Sequence, residues 1–284
     1  MGIKNKDADI FVPDRAELSA AFERTTHLGV GAHQDDLEIM AAHGILECYQ
    51  CDDRFFSGIT CTNGSGSSRT GLYGDFSDEE MMAVRAEEQR KAAVLGEYSS
   101  MTQLGYASSQ IKDPANAELA DDLEELLRLM RPEVVYTHNP ADKHESHIAV
   151  FANLLKALRR LPESMRPRRF YGCETWRGLD WMDDAEKVVF EVGARDGLAS
   201  ALVSLFDSQI AGGKRYDQAT LGRRHANATF LASHESDVYT SAIFAMDLMP
   251  LLDDDSLLPT ALVERHIRKF EQDVNAKLTH HFGE

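Results

Sequence analysis

The amino-acid sequence predicts an α/β protein in which a mostly parallel sheet is covered by helices on both faces. Apolar, strand-like runs alternate with helix-like segments through about residue 160, and this alternation is typical of such a sheet. The 284 residues are 43% hydrophobic, which is enough to bury a sizeable core. No internal repeat or clear linker interrupts the pattern. We therefore predict one domain over residues 25–284, with a C-terminal elaboration, after a polar lead-in over residues 1–24.

The first strand is predicted over residues 27–32, a short apolar run that ends in small residues. A helix over residues 39–49 and a second strand over residues 55–62 follow. Residues 63–74 are rich in glycine and serine, so we expect them to form a flexible loop.

Two helices are then indicated by their N-terminal signals. Ser77 and Glu80 form a capping box, which predicts a helix that runs to about Leu95. Asp113 and Pro114 are a cap followed by a proline at the first helical position. One apolar face of this second helix contains Leu119, Leu123, Leu126, Leu127 and Met130.

The remaining elements continue the alternation. A third strand is predicted over residues 134–138, and a helix over residues 148–160. Beyond these we predict strands over residues 168–175 and 187–192, helices over 197–210 and 216–232, a turn-prone break over 250–258 and a last helix over 259–278.

The chain is strongly acidic, with a formal net charge of −17 and a pI of about 5.0. This charge makes nucleic acid and anionic membrane surfaces poor partners. No segment approaches the roughly 18 apolar residues that a spanning helix requires, and residues 1–10 lack the apolar stretch of a secretory signal. We therefore expect a cytoplasmic protein that binds a small molecule, not a nucleic acid or a membrane.

Two of the predicted strands run into chemically unusual segments. The first strand is followed by His33, Asp35 and Asp36, and the third strand is followed by His144 and His147. In open α/β sheets, ligands bind beyond the carboxyl ends of the strands. We therefore expect a functional site where these two segments meet.

The spacing within the two segments suits a metal ion. A catalytic zinc ion takes three protein ligands, typically histidines and carboxylates, and keeps one position open. His33 and Asp36 lie three residues apart across a turn, and His144 and His147 share one face of a helix start. A third ligand from the second segment would leave one carboxylate as the base of a hydrolase. Alternatively, Asp35 and Asp36 cap the following helix, and the histidines are surface residues.

These segments resemble the two motifs of the PIG-L family of N-acetylglucosamine deacetylases, also called LmbE-like proteins. Residues 32–37, Ala-His-Gln-Asp-Asp-Leu, are similar to the family motif Ala-His-Pro-Asp-Asp-Glu. Residues 138–147 match the second motif, His-x-Pro-x-Asp-x-His-x-x-His. Thr62, Gly64 and Arg69 resemble a family loop that leads to an arginine. A family helix motif is matched by Arg85, Glu88, Ala92, Leu95 and Gly96.

The sequence departs from the first motif at two positions. Gln34 stands where the family has proline, and Leu37 stands where it has glutamate, with Glu38 one position later. This form resembles the subgroup that acts on glucosaminyl malate in bacillithiol synthesis. The resemblance implies a Rossmann-like, LmbE-like fold, an acylated amino sugar as substrate and a homo-oligomer, either a trimer or a hexamer.

The resemblance also implies residue roles. His33, Asp36 and His147 would bind one zinc ion per chain, and iron or cobalt could occupy the same ligands. Asp35 would be the general base. His144 would stabilise the oxyanion or act as an acid.

Two further residues are candidates for supporting roles. Asp142 is expected to hold His144 in its charged form. The alternative for Asp142 is a turn residue after Pro140. Arg69 is expected to hydrogen-bond sugar hydroxyls, and the alternative is a solvated loop charge.

The predicted function is a zinc-dependent hydrolase that removes an N-acetyl group from an N-acetylglucosamine-type substrate. Gln34 and Leu37 motivate one alternative, a non-catalytic metal- or sugar-binding protein. Another is a zinc amidase that acts on a non-sugar amide. Asp35 favours an enzyme, because a protein that only binds has no need of a base.

Overall fold

One sheet of eight strands runs through the computed structural model, which describes residues 2–232 and 234–283. The strands are β1 (Asp9–Phe11), β2 (His27–Gly31), β3 (Phe56–Thr62), β4 (Ser100–Tyr106), β5 (Val134–His138), β6 (Arg169–Cys173), β7 (Val188–Glu191) and β8 (Ala242–Asp247). Their order across the sheet is β1-β4-β3-β2-β5-β6-β8-β7. The five strands from β4 to β6 are parallel, whereas β1, β8 and β7 pair antiparallel at the two edges.

The direction in which the chain builds the sheet reverses between β2 and β5. From β2 the chain proceeds outwards through β3 and β4, and it then returns to the other side of β2 with β5 and β6. β2 and β5 are parallel, with His27 opposite Val134, so their carboxyl ends lie at the same edge of the sheet. Such a reversal leaves a crevice in which ligands bind.

Helices connect and cover the strands. They are α1 (Leu18–Glu23), α2 (Asp36–Met40), α3 (Ala42–Cys48), α4 (Asp78–Leu95), α5 (Ser108–Lys112), α6 (Glu118–Met130), α7 (Glu145–Arg160), α8 (Asp196–Ser204), α9 (Asp207–Ile210), α10 (Tyr216–Phe230), α11 (Pro250–Asp253) and α12 (Pro259–Phe282). Within the described residues, no helix is both long enough and apolar enough to cross a membrane.

Apolar side chains pack on both faces of the sheet. One core cluster contains Leu123 of α6 and Leu154 of α7, and a second contains Ile45 of α3 and Ala92 of α4. Burial of this apolar surface is the main favourable term for the fold. The predicted α/β architecture, with helices on both faces of a mostly parallel sheet, is confirmed.

Several predicted elements are confirmed to within two residues, namely the strands over 27–32, 55–62 and 134–138 and the helix over 77–95. The capping box of α4 is complete. Ser77 Oγ accepts the Glu80 N–H at 3.2 Å, and Glu80 Oε2 accepts the Ser77 N–H at 2.8 Å.

Other helix boundaries differ from the prediction. The helix over residues 39–49 is two helices, α2 and α3, which meet at Ala41. The predicted start at Asp113 is wrong, because the Asp113 side chain accepts the Ala115 N–H in a turn. Helix α6 begins at Glu118, where the side chain of Asn116 accepts the backbone N–H.

Several observed elements are not among those predicted from the sequence. The predicted lead-in contributes β1, which pairs with β4, and α1, which buries Phe22 in the core. Strand β4 lacks a continuous apolar pattern because Ser100, Thr102 and Gln103 interrupt it, yet all three are buried. Strand β8 is also absent from the prediction, although its sequence is apolar enough to be recognised. The division of the chain into a lead-in and one domain stays a prediction.

Candidate metal centre and active site

The two chemically unusual segments meet at the reversal point of the sheet. His33, Asp35 and Asp36 follow β2, and the segment from His138 to His147 leads from β5 into α7. Because β2 and β5 are parallel neighbours, their ends bring the two segments together across more than a hundred residues of sequence. This is the position in which open α/β sheets bind ligands.

The turn after β2 has a strained backbone at Asp35. Its φ is +97°, in the left-handed region that residues other than glycine seldom adopt. The His33 N–H donates to Asp36 Oδ2 at 2.6 Å, and the Asp35 N–H donates to Gln89 Oε1 at 3.3 Å. These bonds hold the turn so that both carboxylates are buried.

The departures from the family motif fit this turn. The Gln34 side chain donates to the Thr62 carbonyl at 3.1 Å and to Gln103 Oε1 at 3.3 Å. Leu37 packs in the core, and Glu38 Oε1 accepts from Gln89 at 2.8 Å. Gln34 and Leu37 therefore contribute to the turn without displacing Asp35 or Asp36 from the cavity.

His33, Asp36 and His147 converge in this crevice. Asp36 Oδ2 lies 3.4 Å from His33 Nδ1, and Asp36 Oδ1 lies 3.5 Å from His147 Nε2. The His33 and His147 ring centroids are 5.3 Å apart. Although burial opposes ionisation, the nearby ring of His147 lowers the pKa of Asp36 well below its usual range.

Two overlapping groups of side chains place their ligand atoms within 4.8 Å of one another. One is His33, His144 and His147, and the other is Asp36, His138 and His147. Both ring nitrogens of His147 and Nδ1 of His144 are buried, and none has a hydrogen-bond partner among residues 2–232 and 234–283. Buried polar atoms are nearly always partnered. His147 Nε2, which faces Asp36, therefore fits a bound cation, and imidazole with carboxylate is a zinc-type donor set.

His138 is a member of the cluster to which the sequence analysis gives no role. Its Nε2 accepts the Ala32 N–H at 3.0 Å, and its Nδ1 lies 3.1 Å from Thr175 Oγ1. Burial and then His147 lower the pKa of His138 to about 4, so the ring is neutral. Because the Nε2 lone pair is occupied by Ala32, His138 is better placed to support the site than to bind a metal ion. Its position as the first histidine of the motif is the signal that could have identified it.

Asp142 contacts a different histidine from the one that the sequence predicts. Its Oδ2 lies 3.6 Å from His147 Nδ1 and accepts the Trp176 N–H at 3.0 Å. Its Oδ1 accepts the His144 backbone N–H at 3.0 Å. Although burial opposes it, the contact with His147 lowers the pKa of Asp142 to about 2. Asp142 therefore faces the ring of His147, and it touches His144 only through the backbone.

His147 lies between two carboxylates, those of Asp36 and Asp142. Burial by itself lowers the pKa of this ring, but the two carboxylates reverse the effect and raise it. The position therefore favours a positive charge, carried by a proton or by a metal ion. In contrast, burial and the rings of His147 and His33 lower the pKa of His144 to about 4, so His144 is neutral near pH 7.

Asp35 is buried against Arg85. Both terminal nitrogens of Arg85 lie 3.5 Å from Asp35 Oδ2, and Nη2 also donates to the Gln34 carbonyl. Burial raises the pKa of Asp35 to about 8, and Arg85 opposes this rise. A carboxyl group that titrates near neutral pH can both accept and return a proton, as general acid–base catalysis requires.

A cavity of about 690 Å³ opens over these residues. Its lining includes His33, Asp35, Asp36 and His144 at one end and Trp176 and Tyr216 further along. It also includes the cationic side chains of Arg85, Lys112, Lys214, Arg223 and Arg224. The last three are not among the residues that the sequence indicates, because they lie in a segment without a recognisable motif.

Arg69 is not among the residues that line this cavity in the described structure. Its guanidinium donates to Asp78 Oδ1 at 2.5 Å, to the Phe76 carbonyl at 3.2 Å and to the Ser65 carbonyl. The sequence predicts contact with sugar hydroxyls. That contact stays a prediction. In the structure Arg69 lies against its own loop and ties the loop to the start of α4.

Comparisons with known proteins agree with this geometry. Residues 28–158 match the PIG-L family, described as GlcNAc-PI de-N-acetylase. The uncharacterized deacetylase YaiS of Escherichia coli (strain K12) is 27% identical over 158 residues, which are 54% of this chain and 78% of that protein.

Solved structures share the fold at low sequence identity. GalB, the 4-carboxy-2-hydroxymuconate hydratase of Pseudomonas putida KT2440, has a TM-score of 0.60 at 18% identity, over 79% of this chain and 95% of that one. The N,N'-diacetylchitobiose deacetylase of Pyrococcus horikoshii has a TM-score of 0.58 at 16% identity, over 86% of this chain and 87% of that one. Over residues 28–158, which contain both strand-end segments, this chain is similar to the PIG-L family.

Proposed function

We propose that this protein is a metal-dependent hydrolase that removes an N-acetyl group from an amino sugar of the N-acetylglucosamine type. The observation that carries the proposal is the buried ring of His147, with unpartnered nitrogens, beside His33 and Asp36. The description of the family as a de-N-acetylase supports the reaction. The homo-oligomer that the resemblance implies stays a prediction.

In this proposal His33, Asp36 and His147 hold one zinc ion, with iron or cobalt as alternatives. A bound zinc ion would supply Lewis acidity, which lowers the pKa of water and polarises the amide carbonyl. Asp142 orients the His147 ring from behind, as carboxylates next to ligand histidines do. His138 stays neutral and supports the turn through the Ala32 N–H.

Two residues take part in the chemical step, one by transferring a proton and the other by stabilising the oxyanion. Asp35 accepts the proton of the attacking water and returns it to the leaving amine, which a carboxyl group with a raised pKa can do at neutral pH. His144 donates a ring N–H to the developing oxyanion, and the neutral imidazole suffices as a donor. Arg85 holds the turn that carries Asp35 and limits the rise of its pKa.

The likeness to a hydratase requires a test that reports amide cleavage directly, because one fold can carry different chemistries. The purified protein is stripped with a chelator and reconstituted with one equivalent of zinc, iron or cobalt. Primary amine and acetate are then measured for a panel of N-acetyl sugars and for simple non-sugar N-acetyl amides.

We expect equal amounts of amine and acetate from at least one N-acetyl sugar, loss of turnover on chelation and recovery with metal. Full activity after thorough chelation would overturn the metal requirement. Turnover of the non-sugar amides alone would overturn the sugar substrate. Metal binding without any turnover would identify a binding protein.

A further inference from the structure

One wall of the cavity is cationic although the whole chain is acidic. Lys214, Arg223 and Arg224 line this wall, the two arginines in the middle of α10 and the lysine in the turn before it. None of the three has a carboxylate oxygen within 4.0 Å anywhere in residues 2–232 and 234–283. In a chain with 47 acidic and 30 basic residues, three unpaired cations on one wall call for an explanation.

Arg224 is the most deeply buried of these cations, with 1% of its surface exposed. Its Nη2 donates to the carbonyls of Glu38 at 2.7 Å and Ile39 at 3.2 Å, so it also caps the end of α2. Its Nε and Nη1 are buried without a hydrogen-bond partner in the described part of the chain. Buried donors are costly when they have no acceptor, so this guanidinium has unused capacity for an anion.

Lys214 and Arg223 lie around Trp176, next to the candidate metal centre. Lys214 Nζ is 5.3 Å from the centroid of the Trp176 ring, and that ring is 6.0 Å from the ring of His144. Arg223 Nη1 donates to the Thr175 carbonyl, which precedes Trp176 in the chain. A substrate whose amide lies at the metal centre would therefore extend along Trp176 towards these two cations.

Two acidic groups act on this wall, Glu174 and Asp196, and neither forms an ion pair with it in the described residues. Glu174 lines the same cavity, but its Oε1 accepts from the Asn227 side chain and from the Phe244 N–H at 3.2 Å. Asp35 and Asp36 lie at the candidate metal centre and not on this wall. Asp196 attracts Arg224 from a distance greater than 4.0 Å. Two half-buried cations and one buried guanidinium are thus left without an ion-pair partner among the described residues.

We propose that Lys214, Arg223 and Arg224 form a subsite for an anionic substituent, a carboxylate or a phosphate, on the sugar whose acyl group is removed. This inference rests on the proposed function for its choice of ligand. A guanidinium matches the two oxygens of either anion, and a lysine adds a point charge. All three residues lie outside residues 28–158, the segment matched to the family.

The test compares the binding of three glucosamine derivatives to the metal-loaded protein by calorimetry. Methyl glucosaminide has a neutral aglycone, carboxymethyl glucosaminide a carboxylate and glucosamine 1-phosphate a phosphate. All three have the same free amine, so differences in Kd report the substituent. Lys214→Gln and Arg223→Gln are compared with Lys143→Gln, because Lys143 also lies near Trp176, at 5.9 Å, but does not line the cavity in the described structure.

We expect at least one anionic ligand to bind 10-fold or more tightly than the methyl glucosaminide, and the tighter of the two to identify the anion. Lys214→Gln and Arg223→Gln should each reduce this ratio at least fivefold, and Lys143→Gln should leave it within twofold. Equal Kd values for neutral and anionic ligands, no measurable binding of any of them, or a ratio unaffected by both variants would overturn the subsite.

Hydrolysis of the three N-acetyl derivatives is measured separately. An anion preference without amide cleavage would refute the deacetylase and keep the subsite. Cleavage without an anion preference would refute the subsite alone.

Discussion

At the scale of single residues, the candidate site depends on how each ionisable group is partnered. His147 lies between Asp36 and Asp142, an arrangement that favours a cation at its ring. Asp35 is one residue from Asp36, yet its pKa is shifted in the opposite direction, because burial prevails at Asp35 and the histidines prevail at Asp36. Neighbouring carboxylates can therefore take different roles, a metal ligand and a proton carrier.

The first prediction concerns Asp35→Asn. Asparagine tolerates positive φ better than most residues, so the turn at φ +97° should persist. We expect turnover to fall about 100- to 10,000-fold, the usual contribution of a general base, while the protein still binds one metal ion. The measurements are kcat and the metal content of the same sample. Unchanged turnover would remove Asp35 from the mechanism.

The second prediction concerns Asp142→Asn. The amide keeps an oxygen to accept the His144 N–H but loses the charge that faces His147. We expect zinc affinity to fall about 10- to 100-fold, as for other carboxylates that orient ligand histidines. Competition with a chelating dye measures this. Asp183→Asn, which removes an equal charge next to Lys269, is the control and should keep the parent affinity.

At the scale of elements, α4 joins the turn after β2, which carries Asp35 and Asp36, to the later part of the chain. Arg85, Glu88 and Gln89 lie on one face because they are three or four residues apart. Arg85 binds the Gln34 carbonyl, Gln89 binds Glu38, and Glu88 accepts from the Ser208 N–H at 2.7 Å and its hydroxyl at 2.6 Å. The helix therefore connects α2 to α9, beside the cavity.

The third prediction tests the N-terminus of α4. Ser77→Ala removes the acceptor of the Glu80 N–H, and we expect a loss of about 1 kcal/mol in the free energy of unfolding. Urea denaturation measures this loss. Ser109→Ala is the control, because within the described residues this exposed serine makes no side-chain hydrogen bond, so its change should stay below about 0.5 kcal/mol. Equal losses for both variants would contradict the capping role.

At the scale of the whole molecule, the last third of the chain completes both the sheet and the cavity. Strand β8 adds to β6, and β7 adds to β8, outside the parallel strands. Phe190 of β7 then packs on His43 of α3, with ring centroids 4.2 Å apart. His43 Nδ1 is also 3.0 Å from the Tyr136 hydroxyl. This contact joins elements that are far apart in sequence.

The fourth prediction uses the titration of His43. Burial lowers the pKa of His43 to about 4 from an ordinary value of 6.5. Between these values the unfolded chain binds the proton more tightly, so stability falls as the pH decreases from about 6.5 to about 4. His43→Phe should remove about 2 kcal/mol of this pH dependence. Urea unfolding of parent and variant at pH 7.5 and pH 4.5 gives the change in the free energy of unfolding between the two pH values for each protein. Identical changes would refute the assignment.

The sequence by itself determined the alternation of strands and helices and the meeting of its two strand-end segments. The carboxyl ends of parallel strands lie at one edge of a sheet, so the alternation predicts that both segments lie at that edge. The pairing of β2 with β5 then brings them into contact. Only the tertiary structure decided that Asp142 faces His147, that Arg69 binds its own loop and that Lys214, Arg223 and Arg224 line the cavity. The physical reason is that local patterns specify the face on which a side chain lies, whereas its partner is set by packing between residues distant in the chain.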